Sequence, residues 1–272
     1  MPEADQVKHP IGVFDSGVGG LSILKALRAE LPHEDFVYVA DSGFAPYGER
    51  DPGFVLARAR AITRYLLSQP ELAIQALVIA CNTATAAAIH LLRQEHPDLP
   101  IIGVEPALKP AIAMSKTRRI GVMATRGTLN SQKFRTLLTG LADQAQFIGQ
   151  PCDGLADAIE RNDTAQIKAL CGQYTQAMGP FGTQPGEVDT LVLGCTHYPF
   201  ASQELQALVG PKVRLVDNGE PVARQTRRML PGLSSDSVPG QCLLLTTGDP
   251  ATLQSAAGRW LRIDGQVQRL QI

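Results

Sequence analysis

The sequence lacks any paired CxxC spacing, any long apolar run and any block of like charges, and each absence removes a class of protein. Its five cysteines, Cys81, Cys152, Cys171, Cys195 and Cys242, are odd in number and unpaired in spacing. That argues against a complete disulfide framework and for free thiols in a reducing compartment. No segment approaches the roughly 20 apolar residues of a membrane span. Met1 to Pro10 carries no apolar core of an export signal, so the chain is expected in the cytoplasm. Lys and Arg number 25 against 26 Asp and Glu, a formal net charge of -1, with no charged tail for nucleic acid or a membrane surface. A small-molecule substrate fits this balance better than a polymer.

What is present is ample core material: 44% of the 272 residues are hydrophobic, spread in short runs. The length exceeds that at which one core usually stops growing, and two lobes are the preferred organisation. Short β-branched runs alternate with longer helix-like segments, the pattern of βαβ units around mostly parallel sheets. Strands are expected at 11–14, 36–40, 76–80, 100–104, 119–123, 146–148, 190–193, 213–216 and 241–246. Helices are expected at 52–68, 83–95, 105–115, 128–141, 153–161, 164–178, 199–209, 220–230 and 250–262, after a first at 21–31 ended by Pro32.

An internal echo sharpens this into a duplication. Ile11-Gly12-Val13 returns as Ile120-Gly121-Val122, and Leu77 to Thr83 (LVIACNT) returns as Leu191 to His197 (LVLGCTH). The offsets are 109 and 114 residues, so the matches keep order and nearly keep register. The fold expected is two pseudo-symmetric doubly wound α/β lobes: residues 1–107 completed by 222–272, and 108–221. Each presents one cysteine at the carboxyl end of a strand. Ligands bind at that end of open α/β sheets, so the cleft between the lobes is the expected site.

Cys81 and Cys195 each stand before a helix, whose N-terminus is expected to lower the thiol pKa from about 8.5. In isolation each is equally a buried filler cysteine. A zinc site would need three or four ligands, and Cys81, Cys195 and His197 make an unusual set. A disulfide is disfavoured by compartment. A Cys195 nucleophile with His197 as base explains a thiol hydrolase but leaves Cys81 idle. Two facing thiols instead supply a base on one side of a stereocentre and an acid on the other, as proton transfer with inversion requires. Cys152, Cys171 and Cys242 are read as packing.

The turn Asp15-Ser16-Gly17-Val18-Gly19-Gly20 lacks both nucleotide-loop spacings, and its amides suit a carboxylate. Asp15 is an N-cap or an acid-base partner. Asp41 to Gly48 is too rich in turn formers for a helix and reads as a substrate-facing loop.

Together these segments resemble the glutamate racemase family, within the cofactor-independent aspartate and glutamate racemases. The resemblance runs through FDSGVGGLS at 14–22, PYG at 46–48, ACNTA at 80–84, VEP at 104–106 and GCTHYP at 194–199. It implies free glutamate as substrate, Cys81 and Cys195 as the two acid-base residues, and no pyridoxal phosphate or metal. It also implies a supply of D-glutamate for peptidoglycan and a homodimer. By the same resemblance Asp15 assists Cys81 and His197 assists Cys195, with Cys195 acting on L-glutamate and Cys81 on the D-isomer. Substrate contacts carry over to Asp15, Ser16, Pro46, Tyr47, Gly48, Asn82, Thr83, Thr196 and His197. Thr125 and Thr128 are lesser candidates. Glu160 is the best match to a family glutamate beside the second thiol; from the residues alone it is also a solvated helix carboxylate. Aspartate racemisation, differing by one methylene of pocket length, and a two-lobed binding protein without catalysis remain alternatives.

Overall fold

Strands buried on both faces read as continuous apolar runs, and the computed structural model places these runs in two parallel sheets. It describes residues 9–70, 72–230, 232, 238–263 and 265–272. Most of the segment inspected for an export signal, residues 1–8, lies outside them. Six strands, β1 (Ile11–Asp15), β2 (Phe36–Ala40), β3 (Ala76–Ile79), β4 (Ile101–Gly103), β9 (Cys242–Thr246) and β10 (Val267–Arg269), form the first sheet in the order β10-β9-β2-β1-β3-β4. Four more, β5 (Arg119–Ala124), β6 (Gln146–Pro151), β7 (Thr190–Leu193) and β8 (Arg214–Val216), form the second in the order β6-β5-β7-β8.

The second order repeats β2-β1-β3-β4 of the first, and the register repeats with it. Ile11 pairs with Ala76 as Ile120 pairs with Thr190, the offsets found in the sequence. The duplication is therefore one of backbone as well as of motif.

Helices cover both faces of each sheet. They are α1 (Leu21–Glu30), α2 (Pro52–Ser68), α3 (Asn82–Glu95), α4 (Leu108–Met114), α5 (Arg126–Asn130), α6 (Gln132–Thr139), α7 (Leu155–Glu160), α8 (Thr164–Ala177), α9 (Ser202–Val209), α10 (Gly219–Met229) and α11 (Pro250–Leu261). Local chemistry sets several starts. Asp51 and Asp249 accept backbone amides as N-caps of α2 and α11, each followed by proline at the first helical position. Leu24 and Leu27 of α1 share a core with Val222 and Ala223 of α10.

Three expectations shift. The helix expected at 128–141 breaks at Ser131, whose extended backbone ends α5 while its hydroxyl caps α6 by accepting from Phe134 N. The helix expected from 105 starts later, at Leu108, because Pro106 holds Glu105 out of the helical region. Strand β10 carries no periodic signal: it is three residues long on the sheet edge, with Gln268 and Arg269 exposed. No described helix is long and apolar enough to cross a membrane.

Candidate active site

The carboxyl ends of β1, β3 and β7 meet at one cavity of about 180 Å³, lined from both sheets. Cys81 enters from the end of β3 and Cys195 from the end of β7, and both thiols are buried. Ser16, Asn82 and Thr83 line the same cavity from the first sheet, with Pro46, Tyr47 and Gly48 of the loop after β2. Thr125, Glu160, Thr196 and His197 line it from the second.

Cys81 is the N-cap of α3: its Sγ accepts from Ala84 N at 3.4 Å and donates to Ser16 Oγ at 3.8 Å. The expected lowering of its pKa by the helix does not hold. Burial pushes the Cys81 thiol well above its ordinary value, the Asp15 charge pushes the same way, and the Ala84 amide only opposes them. The magnitudes explain the outcome, since a helix terminus supplies on the order of 0.3–1 kcal/mol. Full burial moves a titration by up to about 3–5 units, each worth about 1.4 kcal/mol.

Asp15 is fully buried and stands one step behind the cavity wall instead of lining it. Its Oδ1 accepts from Ser16 N at 2.7 Å and Ser16 Oγ at 3.3 Å, and its Oδ2 accepts from Gly20 N and from Thr196 Oγ1 at 3.2 Å. Burial raises its pKa against the pull of His197 and the Ser16 amide.

Cys195 has different company. Its Sγ lies 3.8 Å from His197 Nδ1, and His197 Nε2 lies 2.8 Å from Glu160 Oε2. Burial by itself disfavours the imidazolium, but the bonds to Cys195 and Glu160 overcome it and hold the His197 pKa well above the ordinary value. Burial also opposes ionisation of Glu160. The bond and charge of His197, the Val18 amide and the Ser42 hydroxyl outweigh it and keep that carboxyl below its usual range. The Glu160 side chain is 17% exposed, so the solvated reading of this carboxylate does not hold.

The loop after β2 is pinned from beneath. Asp41, fully buried, accepts from Arg58 Nη2 at 2.8 Å and Nε at 2.9 Å, from Thr247 Oγ1 at 2.8 Å, and from the Tyr47 hydroxyl. The Tyr47 hydroxyl is thus held by Asp41, while the residue lines the cavity. Burial and Asp41 push its pKa upward. Thr128 lies outside the lining, donating its amide to Thr125 Oγ1 and accepting from that hydroxyl.

Sequence reasoning missed Ser42, which lines the cavity and donates to Glu160 Oε1 at 3.1 Å. It also missed Arg126, whose guanidinium meets Asp153 at 2.5 Å at the cavity wall. The loop reading of 41–48 had covered Ser42 without singling it out, and Arg126 has no motif. Cys152, read as packing, packs in the core of the second sheet and also reaches the cavity wall. Cys171 is core, and burial pushes its thiol up to about 11. Among the described residues no three His, Cys, Asp or Glu side chains are grouped to hold a metal ion.

The family model for Asp/Glu/hydantoin racemases matches residues 21–226. The chain belongs to this racemase family. Among its relatives, the glutamate racemase of Ralstonia pickettii is 44% identical over 98% of this chain and 93% of its own. The fold agrees with solved members of the family. A glutamate racemase isoform of Bacillus anthracis superposes with a TM-score of 0.84 at 31% identity, covering 97% of this chain and 98% of that one. The Escherichia coli glutamate racemase, solved with L-glutamate and an activator, gives a TM-score of 0.80 at 28% identity over 96% and 98%.

Proposed function

We propose that this protein is a glutamate racemase that interconverts L- and D-glutamate by proton transfer between two thiols. One observation carries the reading: Cys81 and Cys195, at equivalent strand ends of a duplicated fold, line a single cavity from opposite sheets. Relatives 44% and 46% identical over nearly the whole chain are glutamate racemases.

For L-glutamate, the Cys195 thiolate takes the α-proton on one face while the Cys81 thiol gives its proton to the α-carbon on the other. The products are D-glutamate, a Cys195 thiol and a Cys81 thiolate. The reverse reaction exchanges the roles, and solvent exchange resets the pair. His197 and Glu160 assist Cys195, whereas Asp15 assists Cys81 through Ser16 and does not touch substrate. The α-proton is far less acidic than any thiol, so donors to the α-carboxylate must be organised before reaction. Asn82 suits this role because its amide nitrogen and oxygen are both buried at the cavity without a partner, a costly state that a bound ligand relieves. Ser16, Pro46, Tyr47, Gly48, Thr83, Thr125 and Thr196 complete the substrate contacts.

The lobes we assign are 1–107 with 222–272, and 108–221. Each range holds whole strands of one sheet, and α10 crosses the border at 221 to pack on α1 of the first lobe. A cytoplasmic homodimer supplying D-glutamate for peptidoglycan fits the family. Optical rotation of each glutamate enantiomer incubated with the protein decays to zero on this account. Retained rotation with both glutamate and aspartate overturns it, and decay with aspartate alone moves the assignment to that substrate.

A further inference from the structure

We infer that Gly17, Gly19 and Ser42, all from the first sheet's side, are positioning residues that complete the His197–Glu160 pair belonging to the second. The inference rests on the proposed racemase reading and deepens it. The turn after β1 lies against the pair so closely that side chains are excluded. A Cβ at Gly17 would sit 2.6 Å from both carboxylate oxygens of Glu160, and one at Gly19 would fall on the His197 ring nearest Nδ1. Val18 N, between them, donates to Glu160 Oε2 at 2.9 Å, and Ser42 Oγ donates to Oε1 at 3.1 Å. Ser22 of α1 donates to the Thr196 carbonyl at 2.7 Å, fixing the chain between Cys195 and His197 from the same side.

Backbone conformation does not explain these glycines. Neither has a positive φ, so alanine fits the main chain at both. Space explains them, and the duplication provides an internal control. At the offset of 109 residues the matching turn of the second half carries Arg126 and Thr128 where the first has Gly17 and Gly19. That turn faces no imidazole, because Thr83 takes the place that His197 has after the other thiol. Thr83 is small enough to meet Thr125 Oγ1 at 3.2 Å with the neighbouring side chains retained. At these two matched positions glycine stands only in the turn that must admit a histidine and a carboxylate.

The chemical consequence is that the assistance given to Cys195 depends on contact between the two sheets. Among the described residues the Glu160 carboxylate makes four hydrogen-bond contacts, three of them to Val18 and Ser42 of the first sheet's side and the fourth to His197. The remaining charged or titratable groups facing His197 are Cys195 and Asp15.

The test uses Gly19→Ala, Gly17→Ala and the milder Ser42→Ala, each assayed from both enantiomers, with the His197 ring followed by NMR titration in every variant. Because the added methyl must displace Glu160 or His197, each Gly→Ala variant is expected to lose some melting temperature, whereas Ser42→Ala adds no atoms and serves as the variant that keeps the test independent of folding. Turnover of Gly19→Ala is expected to fall on the order of 10²-fold, as for angstrom-scale misplacement of a catalytic group. KM changes little, and His197 titrates at lower pH than in wild type. Ser42→Ala shows the same signs with a smaller fall. Wild-type turnover and an unmoved His197 titration in Gly19→Ala and Gly17→Ala overturn the inference, as does loss of turnover with His197 unmoved. An inactive wild type whose His197 titration still falls in the variants removes the racemase reading and leaves the positioning intact.

Discussion

The two walls of the cavity carry the same backbone and different chemistry. Cys81 on the first wall is backed by Ser16 and a buried Asp15; Cys195 on the second is backed by His197 and Glu160. At the strand end where β1 has Asp15, β5 has Ala124, and where His197 follows the second thiol, Thr83 follows the first. Each half lacks the titratable side chain that backs the thiol of the other. Duplication thus supplies the facing thiols, while divergence at two positions supplies their unlike partners. The ion pairs differ in the same manner: Arg58–Asp41 under the first wall is buried, and Arg126–Asp153 on the second is exposed.

The comparison breaks most visibly at the thiols themselves. Cys81→Ala and Cys195→Ala are each expected to cut racemisation from both enantiomers by about 10³-fold or more, measured by optical rotation. Retained racemisation in Cys81→Ala would contradict the two-thiol reading.

Next in size is the buried pair. Arg58→Met leaves Asp41 charged without its principal partner, and breaking such a pair typically costs about 3–5 kcal/mol, read by chemical denaturation. KM for glutamate rises with it, because Asp41 also holds Tyr47 beneath the loop that lines the cavity.

Third comes the pH dependence of the second wall. His197 has its pKa raised in the folded protein, so the stability it contributes is complete below the unfolded value of about 6.5 and is lost as pH rises through the folded value. Glu160→Gln removes one of the two groups that raise it. The alkaline limb of the kcat profile should then move to lower pH, and stability should fall off over a lower pH range. A profile superimposable on wild type contradicts the assigned role of Glu160. The smallest effect belongs to Arg126→Ala, whose solvent-exposed pair should leave the melting temperature within error of wild type.

Much of this was legible in the sequence because parallel strands and duplicated motifs are local patterns. LVIACNT and LVLGCTH identify two equivalent strand ends without any knowledge of how the sheets face each other. Relationships across the sheets were not legible. Glu160 lies on a helix of mixed polarity, and its contact with His197 spans 37 residues while that with Val18 spans 142. The Cys81 pKa went against expectation because sequence shows the helix that follows a thiol and hides the depth at which the thiol is buried. The helix break at Ser131 was hidden by a capping hydroxyl inside an otherwise periodic segment. Asp15 reads as a substrate contact by motif, and only the packing of Ser16 and Thr196 over it shows that it stands behind the cavity wall.

The most direct test of the two-thiol account is incorporation of solvent deuterium at the α-carbon, starting separately from L- and D-glutamate, with wild type, Cys81→Ser and Cys195→Ser. The account predicts rapid incorporation from both enantiomers in wild type and unequal residual incorporation in the variants. Cys81→Ser should retain more exchange from L-glutamate and Cys195→Ser more from the D-isomer. Equal exchange from both enantiomers in either variant would contradict the assignment of one thiol to each face.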